Sequence, residues 1–184
     1  MDKVPLLESL PPAILTDSAW VDFLHFVACG KPVVRTKVKN EFSLRVLQQW
    51  CSTRRLFFLE GNDRYVCIGS DAEITQKVLE IDQSPQPHVF ELGQMLGYPK
   101  CCCEFVSTVG ESQIDELEIQ VTNWNFCGQF RLIDPKGYLF GTSLICHIPC
   151  STTCAASLQL AHTAIKYIRI NQNYAFTGRW KRWY

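Results

Sequence analysis

The sequence predicts an α+β fold in which helices pack on a small antiparallel sheet. Helical and strand-like segments are mixed along the chain, but they do not alternate in a regular βαβ order. A Gly-Asn-Asp turn at residues 61–63 joins two strand-like segments as a hairpin, which favours antiparallel pairing. With 184 residues, of which 47% are hydrophobic and 20% charged, the chain can bury a substantial core.

Apolar residues that recur every three or four positions predict three helices in the first half. The first begins at Thr16 or Asp17 and stops at Gly30, the second covers residues 42–50, and the third is capped by Asp71 and continues through Ile81.

Three short segments of the first half have the composition of strands, and they cover residues 31–37, 55–60 and 64–69. A proline-rich break at residues 84–87 follows. We expect a single domain over residues 1–184, in which this break separates an N-terminal subdomain (1–84) from a motif-bearing catalytic half (88–184).

The second half is predicted to contain three helices, one strand and one hairpin. Two helices, at residues 89–96 and 100–109, stop at glycines, and Ser151 caps a third, longer helix. The strand covers residues 116–121. The hairpin pairs two further segments around a turn at residues 134–137, and these segments are 129–133 and 138–147.

Charge and hydropathy exclude several classes of protein. Eighteen basic residues balance eighteen acidic ones, which argues against a nucleic-acid partner. No apolar run approaches the roughly 20 residues of a membrane span, and the N-terminus lacks the pattern of a signal peptide. We therefore expect a cytoplasmic protein without a membrane partner. In that reducing compartment, its ten cysteines indicate metal binding or catalysis more than disulfides.

Two cysteine-rich motifs stand before predicted helices: GYPKCCC at residues 97–103 and HIPCSTTC at residues 147–154. A helix N-terminus favours a thiolate, because free N–H groups and the helix dipole stabilise an anion. At about 100° per residue, Cys102 lies at the centre of the apolar arc of its helix and Cys101 at the edge. Cys103 is predicted to face solvent on the opposite side.

A cysteine at a helix start, followed along the chain by a histidine at a strand end, is the arrangement of papain-type enzymes. Cys101 is therefore the predicted nucleophile, with Cys102 beside it and His147 as its base. The residue that orients the imidazole stays open among Glu116, Glu118, Asn123 and Asn125, with Glu118 and Asn125 as the main candidates. Tyr98 and Trp124 are candidates for covering the site and contacting substrate.

The same residues also support a metal site. Cys101 or Cys102, together with His147, Cys150 and Cys154, could bind zinc, and thiolates also bind iron–sulfur clusters. The spacing His-x-x-Cys-x-x-x-Cys matches no standard zinc knuckle.

GYPKCC and HIPCSTTCAAS resemble the motif pair of a prokaryotic domain family of unknown function, which reads roughly GYPxCC and HxPCSxxCxxS. The resemblance covers residues 92–161, and the family is similar to the condensing enzymes of lincosamide antibiotic biosynthesis. The residues that match these motifs are Cys101, Cys102, His147, Cys150, Ser151, Cys154 and Ser157. Ser151 is thereby a candidate for substrate binding, whereas the additional Cys103 and the short chain depart from the pattern.

The resemblance implies a cysteine-dependent acyltransferase or amide synthase, with a cysteine/histidine core reminiscent of papain. Its donor would be an acyl or aminoacyl thioester on the phosphopantetheine of a carrier protein, and its acceptor a small-molecule amine. Because a thioester is already activated, we expect no cofactor, neither ATP nor metal. A peptidase or amidase would use the same residues with water as the acceptor.

Overall fold

A computed structural model of the chain describes residues 10, 14–86, 88–171 and 179–181. These residues form an α+β fold of seven α-helices and one three-stranded antiparallel sheet, which confirms the predicted class. Along the chain, the elements are α1 (Ala19–Ala28), β1 (Val33–Lys37), α2 (Glu41–Thr53), β2 (Phe57–Glu60), β3 (Tyr65–Gly69), α3 (Ala72–Asp82), α4 (Val89–Met95), α5 (Lys100–Ser107), α6 (Ile114–Thr122) and α7 (Ala155–Ile170).

Helices α2 and α3 begin at side-chain caps. The Asn40 side chain accepts a hydrogen bond from the backbone N–H of Ser43, and Asp71 accepts one from Ile74. Each cap satisfies a backbone donor that has no partner inside its helix. The predicted Asp71 cap is confirmed.

The sheet has the strand order β1-β3-β2, and both strand pairs are antiparallel. Cys67 in the central strand lies opposite Arg35 on one side and Leu59 on the other. On one face of the sheet, Val33 and Cys67 pack with Val78 of α3 and with Leu96. The predicted hairpin of residues 55–69 is confirmed as the β2–β3 pair.

A second, larger apolar cluster contains buried residues from both sides of the proline-rich break, among them Leu24, Val34, Ile145 and Ile165. Pro87 itself lies outside the described residues. The division into two subdomains therefore stays a prediction, although the two ranges share this cluster.

Two predicted elements of the second half are wrong. Residues 116–121 belong to helix α6 and not to a strand, because Leu117 and Val121, four residues apart, are the buried pair of a helical face. The hairpin predicted for residues 129–147 is absent from this part of the described chain. Short 3₁₀ turns replace its first segment and its turn, at Gly128–Ile133 and Pro135–Gly137.

The segment that follows these turns, residues 138–147, is irregular because side chains satisfy its backbone. His25 Nε2 lies 2.8 Å from the carbonyl oxygen of Leu144, and Trp180 Nε1 donates to the carbonyl of Ser143. His147 consequently lies in a loop and not at a strand end.

Helix α7 begins later than predicted. Its N-cap is Cys154, and no side chain caps it, so the predicted Ser151 cap is wrong. As a result, Cys150 lies in the loop before the helix, and Cys154 directly precedes the first helical residue. Among the described helices, none is long and apolar enough to cross a membrane.

Candidate metal centre

Four cysteine sulfurs converge where helices α5 and α7 begin. Cys101 and Cys102 lie in the first turn of α5, Cys150 lies in the loop before α7, and Cys154 is the N-cap of α7. Their Sγ atoms all lie within 4.8 Å of one another. The two motifs of the sequence therefore meet at one point, although about fifty residues separate them.

Three of the four sulfurs have the spacing expected around one tetrahedral ion. Cys154 Sγ lies 3.7 Å from both Cys101 Sγ and Cys102 Sγ, and the two neighbouring sulfurs lie 4.0 Å apart. With Zn–S bonds of about 2.3 Å, the edge of a tetrahedral ZnS₄ unit is about 3.8 Å. A cubic iron–sulfur cluster binds its cysteines at four separate corners and needs more widely spaced sulfurs.

The four candidate ligands differ in how far their side chains are exposed to solvent. Cys102 is 1% exposed and Cys154 is 5% exposed, whereas Cys150 is partly buried and Cys101 is exposed. The site therefore lies at the edge of the apolar core, with one sulfur on the solvent side. This order agrees with the predicted placement of Cys101 at the edge and Cys102 inside.

Cys154 differs electrostatically from its neighbours. Burial raises the pKa of its thiol, but hydrogen bonds from the Ser157 hydroxyl and backbone N–H, and from Cys150 and Cys102, lower it to about 7. Burial raises the pKa values of the Cys102 and Cys150 thiols. Cys154 thus loses its proton more readily than Cys102 and Cys150 do.

Ser157 lies in the first turn of α7 and connects the cysteines to His147. Its hydroxyl donates to Cys154 Sγ at 3.3 Å and lies 3.4 Å from Cys102 Sγ. Its oxygen lies 2.8 Å from His147 Nε2. Because a hydroxyl has one proton, a serine that donates to sulfur accepts from Nε2–H. The Nδ1 atom of His147 then carries a lone pair.

The His147 side chain is partly buried and lies against other side chains of the site. Burial, and to a smaller extent the nearby charges of His25 and Lys31, lower its pKa to about 3, so the ring is neutral. The Tyr98 ring packs against it at a centroid distance of 5.4 Å, and Lys31 Nζ lies 3.5 Å from the Tyr98 hydroxyl. The Nδ1 atom is buried and has no hydrogen-bond partner in the described part of the chain.

These contacts change the metal-ligand set that the sequence suggested. The predicted set combined Cys101 or Cys102 with His147, Cys150 and Cys154, whereas the converging group contains both Cys101 and Cys102 and not His147. His147 Nε2 instead contacts Ser157. Adjacent cysteines both face the site because the first turn of α5 presents them on the side from which α7 approaches.

The predicted Cys101–His147 dyad is not a direct contact. Ser157 stands between His147 and the sulfur of Cys102. Neither Glu118 nor Asn125 hydrogen-bonds the imidazole among the described residues. Asn125 instead accepts a hydrogen bond from Cys127. The orienting contacts come from Ser157 and Tyr98.

A cavity of about 420 Å³ lies beside the centre. Tyr98, Cys102 and His147 line it, and Glu118 lies in its wall. Burial, together with the neighbouring charge of Asp115, raises the pKa of the Glu118 carboxyl. Tyr98, a predicted substrate contact, and Glu118, a predicted orienting residue, therefore both line a space that can hold a small molecule.

Trp124 and Ser151, the other two predicted substrate contacts, are not among the residues that line this cavity. Trp124 packs against Phe105 of α5, with ring centroids 5.9 Å apart, and Ser151 is partly buried in the loop before α7. Cys103 was expected to face solvent, but it is 3% exposed. Helix α4 covers it, because Gly93 has no side chain to hold the two helices apart.

Sequence reasoning underestimated Ser157, which entered only through the family resemblance. Its signal was the spacing Cys154-x-x-Ser157, since residues three apart at a helix start lie on one face. No protein-family model matches this sequence, and no curated protein or solved structure matches it significantly. The predicted likeness to the lincosamide condensing enzymes therefore stays a prediction.

Proposed function

We propose that the protein binds one Zn²⁺ ion through Cys101, Cys102, Cys150 and Cys154. The observation that carries this proposal is the mutual approach of their four sulfurs to within 4.8 Å. Thiolates are preferred ligands of zinc, and four of them in a tetrahedron form a closed, structural type of site.

The local environment supports a bound cation. Four thiolates place four negative charges at one point, and a divalent cation offsets their repulsion. Ser157 donates a hydrogen bond to Cys154 and so resembles the outer groups that orient metal ligands. The ion would join the start of α5 to the start of α7, so binding would stabilise the folded chain.

The direct test is the metal content of the full chain purified under reducing conditions without a chelator. We expect one equivalent of zinc by inductively coupled plasma mass spectrometry. Cys150→Ser and Cys154→Ser should each lose it. Cys127→Ser is the matched control and should keep it, because Cys127 is exposed and contacts Asn125 instead. A parent protein without zinc that also fails to take it up on titration would contradict the proposal.

A second candidate function is acyl transfer through Cys101. The observation in its favour is an exposed thiol at the first turn of a helix, near a cavity that a neutral histidine lines. The donor would be a thioester on a carrier protein, and the acceptor a small-molecule amine.

In this reaction, the Cys101 thiolate would attack the thioester carbonyl, and the phosphopantetheine thiolate would leave and take up a proton. The amine would then attack the acyl-enzyme, form the amide and release the Cys101 thiolate, while the amine proton passes to a base. Water in place of the amine would give a hydrolase.

Intact-mass measurement separates the two functions. After incubation with acetyl and aminoacyl thioesters of pantetheine, an acyl transferase should gain one acyl mass at Cys101. Cys101→Ser should gain none, and Cys127→Ser should match the parent. A protein that contains zinc and gains no acyl mass supports the metal centre alone.

A further inference from the structure

We infer that Cys101 is an oxidation site for hydroperoxides, at which a disulfide to Cys154 forms and the bound zinc ion is released. This inference rests on the proposed zinc centre. A closed structural zinc site does not by itself imply a reaction with hydroperoxides or the release of its ion.

Accessibility selects Cys101 within the centre. It is exposed, whereas Cys102 and Cys154 are buried and Cys150 is partly buried. A thiol that binds zinc is deprotonated, and the thiolate is the form that reacts with peroxides. Cys101 therefore combines thiolate character with contact to solvent.

A second sulfur lies ready to complete the reaction. Cys154 Sγ lies 3.7 Å from Cys101 Sγ, and a disulfide bond of about 2.05 Å needs the two atoms to approach by less than 2 Å. Cys102 is the poorer partner, because a disulfide between adjacent residues would distort the peptide bond in the first turn of α5. Exposed thiolates beside a resolving cysteine are typical of redox sensors.

The chemistry balances in two steps. The Cys101 thiolate attacks one oxygen of hydrogen peroxide, the O–O bond breaks, and sulfenic acid and hydroxide form. The Cys154 thiolate then attacks the Cys101 sulfur and displaces a second hydroxide as the disulfide forms. Two thiolates are oxidised, and one peroxide is reduced to two hydroxide ions. Cys102 and Cys150 remain as ligands, and two thiolates hold zinc much more weakly than four.

Cys127 provides an internal comparison. It is also exposed, but it lies outside the cysteine group and its sulfur contacts the Asn125 side chain. Oxidation at Cys127 should therefore proceed without a disulfide and without zinc release. Accessibility alone thus cannot account for the expected response.

The test uses the zinc-loaded full chain, hydrogen peroxide and a chromogenic zinc chelator. We expect release of one equivalent of zinc, a Cys101–Cys154 disulfide in peptide mass maps, and recovery of zinc binding after dithiothreitol treatment. Cys127→Ser should respond as the parent does. If Cys101→Ser still binds zinc, its release should be at least tenfold slower. If it does not, the disulfide map of the parent decides.

The outcomes separate this inference from the proposal beneath it. A chain that never binds zinc overturns both. Zinc that binds but stays bound while Cys127 is oxidised overturns the oxidation site alone. A parent disulfide between any other pair of cysteines also overturns the assignment of Cys101 and Cys154.

Discussion

Ser157 is the residue on which the candidate site depends most after the cysteines themselves. It contacts two of the four sulfurs and the His147 imidazole with a single hydroxyl. Its effect on a metal would be indirect, since it lowers the basicity of Cys154 and orients the sulfur.

Ser157→Ala should weaken zinc binding by roughly 10- to 100-fold, as expected when a group that hydrogen-bonds a metal ligand is removed. Competition with a chelator of known affinity measures this change. Ser107→Ala is the control, because that exposed hydroxyl donates to the Glu104 carbonyl within its own helix and lies outside the cysteine group. Equal affinities for both variants would show that the Ser157 contact does not act on the metal.

His147 should remain neutral well below its usual titration range, because burial lowers its pKa to about 3. The folded protein then binds no proton at this ring between about pH 6.5 and 3, whereas the unfolded chain does. Stability from His147 is thus present above pH 6.5 and is lost as the pH falls. Ring chemical shifts of His147 followed by NMR measure the pKa directly. A titration midpoint near pH 6.5 would show that burial does not lower the pKa of this ring.

At this scale, the sequence predicted the cysteines better than their partners. Helical geometry correctly placed Cys101 at an edge and Cys102 inside, because both depend on their own helix. Cys103 was wrongly placed because its burial depends on α4, an element whose approach the helix itself cannot reveal. For the same reason, the sequence left Cys101 and Cys102 as alternative metal ligands and included His147 among the four.

Helix pairing determines where the first turn of α5 lies. Helix α4 packs against α5 at Gly93, where an added Cβ would lie 2.7 Å from Cys103 Sγ. That distance is shorter than any ordinary contact between carbon and sulfur. The glycine is therefore needed for close packing, although it costs helical stability in α4.

Gly93→Ala should lower the free energy of unfolding by about 1–2 kcal/mol, because overpacking outweighs the gain of about 1 kcal/mol in helix propensity. Urea unfolding with chelator present measures this without a contribution from zinc. Cys103→Ala removes the sulfur from the contact, so Gly93→Ala in that background should cost little or stabilise. A loss of the same size in both backgrounds would contradict the proposed clash.

Elements whose bounds depend on nearby residues were predicted well, whereas those that depend on contacts between distant residues were not. Asp71 caps α3 through a neighbour three residues away, which the sequence reveals. The backbone carbonyls of Ser143 and Leu144 are contacted by the side chains of Trp180 and His25, which are distant in sequence. The strand-like pattern of this segment therefore gave a wrong prediction. The strand predicted for residues 116–121 was wrong because, in so short a segment, the spacing of the apolar residues fits both a helix and a strand.

Across the whole molecule, the cysteine group connects segments that are distant in sequence. Cys101 and Cys154 are 53 residues apart, yet their sulfurs are 3.7 Å apart. Any ion bound there acts as a crosslink between α5 and α7. The stability of the entire fold should then depend on metal.

Removal of zinc should lower the melting temperature by on the order of 10 °C. A ligand at a thousand times its Kd adds about 4 kcal/mol, and each kcal/mol shifts the melting temperature of a chain of this size by about 2–4 °C. Calorimetry with and without a chelator measures the change. Cys150→Ser should melt like the chelated parent and show no further drop, whereas Cys127→Ser should behave like the parent. An unchanged transition in the chelated parent would contradict a crosslinking ion.

The same separation orders events while the chain is being made. At about 5–20 residues per second, a ribosome that has produced Cys101 needs roughly 3–10 seconds to reach Cys154. During that interval the nascent chain carries an adjacent pair of thiols without the other two sulfurs. The four sulfurs are present together only once the beginning of α7 has been synthesised, so loading of the proposed zinc ion would fall among the late steps of maturation.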